Sequence, residues 1–138
     1  NNAHYTNPII INGIYEALKR FGFKEGNILE PAAGIGNFIG MVPEDIKAKF
    51  TGVEIDSISG RIAKELYPEA DIKIQCFETT RFNDNYFDAA VSNVPFGDYK
   101  VFDSSYSKNY LIHDYYFLKV LDKLKAGGII AFVLLKVH

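Results

Sequence analysis

Apolar positions along the chain change their period repeatedly, and the changes mark out alternating helices and strands. Ile10, Ile11, Ile14, Tyr15, Leu18 and Phe21 recur at helical spacing across residues 7–21, with Asn7-Pro8 supplying a cap and a first turn. A short strand is predicted from Asn27 to Pro31, then a glycine turn and a helix around Asn37 to Met41. Lys49 to Ile55 reads as a second strand, and Ser57 to Tyr67 as a helix with Ser57 as N-cap and Pro68 as its stop. Asp71 to Cys76 alternates as a third strand. Phe87 to Ser92 is strongly apolar, which places it centrally in a sheet covered on both faces. His113 to Leu124 is patterned as an amphipathic helix ending near Gly127-Gly128, and Ile129 to Leu135 follows as a fifth strand. This alternation predicts an α/β domain built on a parallel sheet. No repeat, low-complexity segment or linker divides residues 1–138, which are read as one domain.

Two short segments carry candidate chemistry. The first is Leu29-Glu30-Pro31-Ala32-Ala33-Gly34-Ile35-Gly36-Asn37-Phe38, between the first strand and its helix. Gly34 and Gly36 lack side chains where the chain must turn sharply, so backbone amides can approach a ligand and the helix start points at it. The spacing departs from the three-glycine dinucleotide pattern, and no Lys-Ser/Thr follows, which excludes a phosphate-cradling P-loop. Glu30 before the turn repels phosphate but suits a sulfonium or an ammonium, which favours S-adenosylmethionine over NAD or ATP. Glu54, about twenty residues beyond the glycines, ends the second strand where a carboxylate can accept both ribose hydroxyls. Taken alone, Gly34 and Gly36 could serve only a tight turn, and Glu54 only as a solvated charge.

The second segment, Ser92-Asn93-Val94-Pro95-Phe96, closes the fourth strand, which the usual strand order sets beside the first and over the same crevice. The Asn93 carboxamide oxygen can accept a hydrogen bond from an exocyclic amine. Pro95 stiffens the corner, and Phe96 offers a flat face for a base. Acceptors on the hydrogens of an aromatic amine push its nitrogen towards the tetrahedral shape needed for attack, so positioning suffices without a strong base. The same residues could also be a strand-ending Asn and Pro beside a core Phe.

The first segment resembles motif I of the N6-adenine DNA methyltransferases, and Asn93-Val94-Pro95-Phe96 resembles their Asn/Asp-Pro-Pro-aromatic motif. Ala3-His4-Tyr5-Thr6-Asn7-Pro8 resembles the N-terminal motif preceding motif I in the gamma-type order. The likeness covers essentially the whole chain and is greatest to the methylase domains of large methylase-helicase proteins of plasmids, phages and mobile elements. It implies a Rossmann-like S-adenosylmethionine-dependent methyltransferase fold, truncated after the fifth strand, and transfer of methyl to the N6 amine of adenine in DNA.

The resemblance also implies roles. Tyr5 and Thr6 would close over the methionine part of the cofactor. Glu30, Pro31, Ala32, Gly34 and Gly36 would line its amino acid and ribose, with Asn37 and Phe38 completing the motif. Glu54 would take the ribose hydroxyls, with Ile55 and Phe77 on the two adenine faces. Asn93 and the Val94 carbonyl would hold the target amine, and Phe96 would stack on an adenine extruded from the duplex. Val94 stands where the family has its first proline, and Cys76 where the family often has an acid for the adenine amine, which leaves that role to Gln75 or Glu78 or the base held less specifically.

Composition narrows the setting. The formal net charge of -2 is not that of a stand-alone nucleic-acid binder, so most phosphate contacts are expected outside this chain. Cys76 is the single cysteine and is read as a small buried hydrophobe. His4, His113 and His138 have no metal spacing, and no metal is expected. His113 is read as a capping or packing residue, Tyr115, Tyr116 and Phe117 as core and rim of their helix, and Asp98-Tyr99 as acceptor-pocket or turn residues. No leader and no membrane-spanning run is seen, so a cytoplasmic setting is expected. The chain stops close to its fifth strand, which suggests a fragment, with Lys136-Val137-His138 of uncertain origin. Rival readings are a catalytically silent cofactor-binding module of a DNA-processing protein, and a methyltransferase acting on a protein glutamine or an RNA amine.

Overall fold

The computed structural model describes residues 6–136. Tyr5 and most of the N-terminal motif therefore lie outside the described residues, as do Val137 and His138. Five parallel strands form one sheet in the order β3-β2-β1-β4-β7, with β1 at Glu25–Glu30, β2 at Lys47–Glu54, β3 at Asp71–Ile74, β4 at Phe87–Phe96 and β7 at Leu124–Lys136. The helices are α1 (Pro8–Arg20), the one-turn α2 (Asn37–Gly40), α3 (Ser57–Leu66) and α4 (Ile112–Lys123). Two further short strands, β5 (Lys100–Val101) and β6 (Tyr110–Leu111), pair antiparallel as a ribbon between β4 and α4.

Strand alternation separates two cores. Ile28 packs with Ile11, Tyr15 and Leu18 of α1, Phe38 and Ala63, whereas its neighbour Leu29 packs with Val94, Tyr115 and Val120 under α4. The helices α1, α2 and α3 thus contribute to one face and α4 to the other, which explains why β4 reads as a strongly apolar run.

Several boundaries differ from the sequence reading. Helix α3 is capped by Asp56, whose Oδ2 accepts from the Ser59 N–H at 2.8 Å, and Ser57 is its first helical residue. Asp outcompetes Ser here because its carboxylate reaches the third amide of the helix from an extended backbone. Helix α4 ends at Lys123 and passes directly into β7, and the register of β4 against β7 shifts between Phe87 and Ala89 to absorb residues 125–128, with Gly127 at φ 84°. The fourth strand does not stop at Ser92. It continues through Asn93, Val94, Pro95 and Phe96, paired with β7 throughout. Its pairing with β1 is confined to Ile28↔Ala89 and Leu29↔Ala90, so Pro95 sits where β4 has a partner on one side only, as a residue without an N–H requires.

Candidate functional site

Where β1 leaves the sheet, its exit is fixed by hydrogen bonds from backbone to carboxylate. The Ala32 N–H donates to Glu30 Oε2 (2.8 Å), the Gly34 N–H to Glu54 Oε1 (2.7 Å) and the Ala33 N–H to the Val53 carbonyl (2.8 Å). Gly34 (φ 58°) and Gly36 (φ 92°) both adopt left-handed backbone. At Gly36 a second constraint applies: a Cβ there would lie 2.7 Å from the Tyr67 ring, and the same ring blocks a side chain at Gly40. The glycine spacing therefore serves helix packing as well as the turn.

Above the carboxyl ends of the strands lies a cleft of about 430 Å³, the position where open α/β sheets bind ligands. Pro31 and Ala32 form one wall, Glu54 and Ile55 the end of β2, Gln75, Cys76 and Phe77 the exit of β3, and Pro95, Ile112 and Tyr116 the floor towards α4. Tyr99, Lys100, Val101 and Phe102 of the ribbon close the far rim. Phe77 is buried and Ile55 is 68% exposed, so an inserted ring would meet one core side chain and one surface side chain. Cys76 is half-buried and lines this cleft, which corrects its reading as a buried packing residue: β3 ends at Ile74, two residues earlier than the alternation suggested.

The two acids occupy different environments. Glu54 lines the cleft, with Oε2 accepting from the Asp56 N–H (2.8 Å) as Oε1 accepts from Gly34, so its carboxylate is oriented at both oxygens. Glu30 is 2% exposed and accepts from the Ser92 hydroxyl (2.7 Å) as well as from Ala32. Burial pushes its carboxyl up to about 8, against the pull of those two hydrogen bonds, and the neighbouring Glu54 adds to the rise.

Asn93 is buried, and its Nδ2 donates to Thr6 Oγ1 at 3.1 Å, beside the Asn7 cap of α1. Its Oδ1 is buried without a hydrogen-bond partner. The other buried side-chain polar atom in that condition among the described residues is His113 Nδ1. The His113 ring packs on Phe96 with centroids 4.2 Å apart, so His113 is a packing residue and Leu111 occupies the N-cap of α4. The structure thus brings Asn93 to Thr6 and Phe96 to α4. Phe38 lies apart from the cleft, 2% exposed in the core, where its carbonyl accepts from the Tyr15 hydroxyl. Asn37 is half-buried as the first residue of α2.

The sequence reading missed a buried ionic cluster beside the cleft. Lys119 Nζ lies within hydrogen-bonding distance of four oxygens that share its three protons: the carbonyls of Phe77 (2.8 Å) and Thr80 (3.1 Å), Asp103 Oδ2 (3.0 Å) and the Tyr115 hydroxyl (3.1 Å). Burial alone would raise the Asp103 carboxyl, but hydrogen bonds from Tyr115, the Ser105 N–H and Lys119 outweigh it and hold the group well below the usual carboxylate range. Burial moves Lys119 the other way, downwards, against the pull of Asp103. An aromatic-rich helix conceals one lysine well, and only its spacing to Tyr115, one helical turn away, hinted at an inward position.

This sheet order, with the ligand cleft over β1, β2 and β4, is the Rossmann-like fold of the S-adenosylmethionine-dependent methyltransferases. The chain superposes on a Listeria monocytogenes protein assigned to class I of these enzymes with a TM-score of 0.77 at 21% identity, covering 95% of this chain and 46% of that one. It superposes on the modification subunit of a type I restriction enzyme from Vibrio vulnificus with a TM-score of 0.74 at 17% identity, covering 94% and 34%. At these identities the likeness is one of fold. In sequence the chain is 37% identical over 132 residues to "Defense against restriction protein B" of Escherichia phage P1, a match that takes in 92% of this chain and 6% of the phage protein. The chain thus spans a small part of the length of that relative. No family model matches the sequence. Among the described residues no cluster of His, Cys, Asp and Glu could hold a metal ion, and no helix is long and apolar enough to cross a membrane.

Proposed function

We propose that this chain is the cofactor-binding and catalytic domain of a longer cytoplasmic protein, and that it transfers a methyl group from S-adenosylmethionine to the N6 amine of adenine in DNA. The observation that carries the reading is Asn93 Oδ1: a buried acceptor with no donor, its orientation set by the bond from Nδ2 to Thr6. A buried unsatisfied carbonyl costs on the order of 1–3 kcal/mol, and an arriving amine hydrogen would satisfy it.

The cleft fits the cofactor by its chemistry. Glu54 offers an oriented carboxylate for hydroxyls, and Ile55 and Phe77 offer apolar faces. When bound, the cofactor supplies a methyl group on a positively charged sulfur. The chain's own work is positioning. Pro31 and Ala32 form the wall and the Gly34 amide orients Glu54, and Asn93 Oδ1 and the Val94 carbonyl accept the two amine hydrogens and turn the lone pair towards the methyl group. Phe96 supports the base on the α4 side. Likeness to a restriction-modification subunit and to a phage protein of defence against restriction supports DNA as the substrate.

The test is N6-methyladenine in DNA from cells making the full-length protein, beside its Asn93→Ala variant. A signal that disappears in the variant is expected. Absence of signal from a folded parent that binds S-adenosylmethionine would overturn the adenine assignment.

A further inference from the structure

Residues 97–111 leave β4 directly after Phe96 and return to α4 as the β5–β6 ribbon. Strand alternation sorts their side chains. Val101 and Asp103 point inwards and are buried, whereas Lys100, Phe102 and Ser104 between and beside them are exposed. Phe102 is 70% exposed and Tyr99 54%. Tyr106 and Tyr110 are instead turned towards each other and towards α4.

This ribbon is anchored. The Asp103 carboxylate is held by Lys119 and Tyr115, the Ile112 N–H donates to the Tyr99 carbonyl at 3.0 Å, and Tyr99 lies over Gly97, where an added Cβ would meet its ring at 3.1 Å. Two large apolar rings are thus held in water by a fixed backbone, at the rim of the cleft and next to Pro95. Lys100 and Lys108 are exposed on the same segment, where Asp98 is the exposed acid. Exposed rings with lysines between them are the surface that binds unpaired nucleic acid: bases stack on the rings and ammonium groups meet the phosphates.

We propose that the ribbon is a nucleic-acid contact within this chain, with Tyr99 and Phe102 stacking on unpaired bases beside the target and Lys100 meeting an adjacent phosphate. This rests on the methyl-transfer reading for the identity of the target, and it places on this chain contacts that net charge alone would assign elsewhere.

The experiment uses the full chain and a fluorescein-labelled single-stranded oligodeoxynucleotide, followed by anisotropy, with S-adenosylmethionine binding measured in parallel by calorimetry. Tyr99→Ala/Phe102→Ala should weaken oligonucleotide binding roughly tenfold or more, the loss expected of missing base stacking, and by more than any loss in cofactor affinity, since both rings also stand on the rim of the cleft. Lys100→Gln should lower the salt dependence by about 0.7 in log–log slope, one single-strand phosphate contact. The exposed Ile58→Ala on α3 should change neither. If the double variant loses cofactor binding instead, the ribbon roofs the nucleoside pocket and the proposal is overturned; unchanged binding of both overturns it as well. Asn93→Ala separates this from the function: retained oligonucleotide binding in that variant, with binding lost in the ribbon variant, supports the ribbon even where no adenine is methylated.

Discussion

The carboxamide of Asn93 is oriented by Thr6, a residue 87 positions earlier in the chain, through a bond of 3.1 Å to its nitrogen. That bond decides which end of the amide is free. With the nitrogen engaged, the oxygen remains as an acceptor in a buried position.

Thr6→Val should therefore impair turnover without removing the acceptor. Loss of one neutral hydrogen bond, about 1 kcal/mol, corresponds to a several-fold drop in kcat. Asn93→Ala should abolish transfer with cofactor affinity retained. Steady-state kinetics beside calorimetric titration checks both, and equal loss of cofactor binding would remove the separation of donor and acceptor sites.

Glu30 links the site to pH. Its carboxyl lies at about 8 in the folded chain, against an ordinary value of 4.5. The folded state therefore holds a proton that the unfolded state releases above 4.5, and stability falls as pH rises from about 4.5 to 8. The full loss is on the order of 5 kcal/mol. Glu30→Gln, which keeps the shape and cannot ionise, should flatten the profile. Urea unfolding at several pH values between 5 and 9 measures it, and equal slopes in the two proteins would refute the assignment.

Lys119→Met would remove the buried cation 3.0 Å from Asp103 and leave it only the longer pair with the exposed Arg81, at 3.8 Å. A destabilisation of roughly 3–5 kcal/mol is expected, and adding Asp103→Leu should recover part of it. Denaturant midpoints for the two single variants and the double variant give the coupling.

Gly36→Ala should cost more than its left-handed backbone alone, about 1–2 kcal/mol, because the new methyl group meets the Tyr67 ring. Tyr67→Ala in the same chain should relieve the collision and leave the backbone term. A thermal-unfolding cycle over the four proteins separates the two, and strict additivity would remove the packing explanation.

Periodicity located the main strands and helices because each buries one or both faces, and burial is what periodicity records. It placed the end of β4 too early because Asn93 and Pro95 are poor strand formers by composition. Their extension depends on the long partner β7, a tertiary effect invisible in a local window. The ribbon was illegible for a related reason: its strands have two residues each and are held by the Asp103–Lys119 pair rather than by an apolar stripe. Among candidate site residues, Pro31, Ala32, Glu54, Ile55, Phe77 and Pro95 line one cleft, with the Gly34 amide bonded to Glu54; Glu30, Asn93 and Val94 are buried outside its lining and Phe96 packs on His113. Phe38 does not line it either, because the turn into α2 points the second residue of that helix at α1. The resemblance implied a cofactor role for Thr6, and its bond to Asn93 was not legible, since no spacing rule joins residues so far apart.

Glu54 holds the Gly34 and Asp56 amides at once, so the wall of the cleft is already in order before any ligand arrives. The entropy of fixing that wall is lost when the chain folds and is not charged again at each encounter. A nucleoside entering from solvent would meet a rigid surface, and its arrival rate would be set by diffusion through the mouth of the cleft rather than by rearrangement of the strand ends.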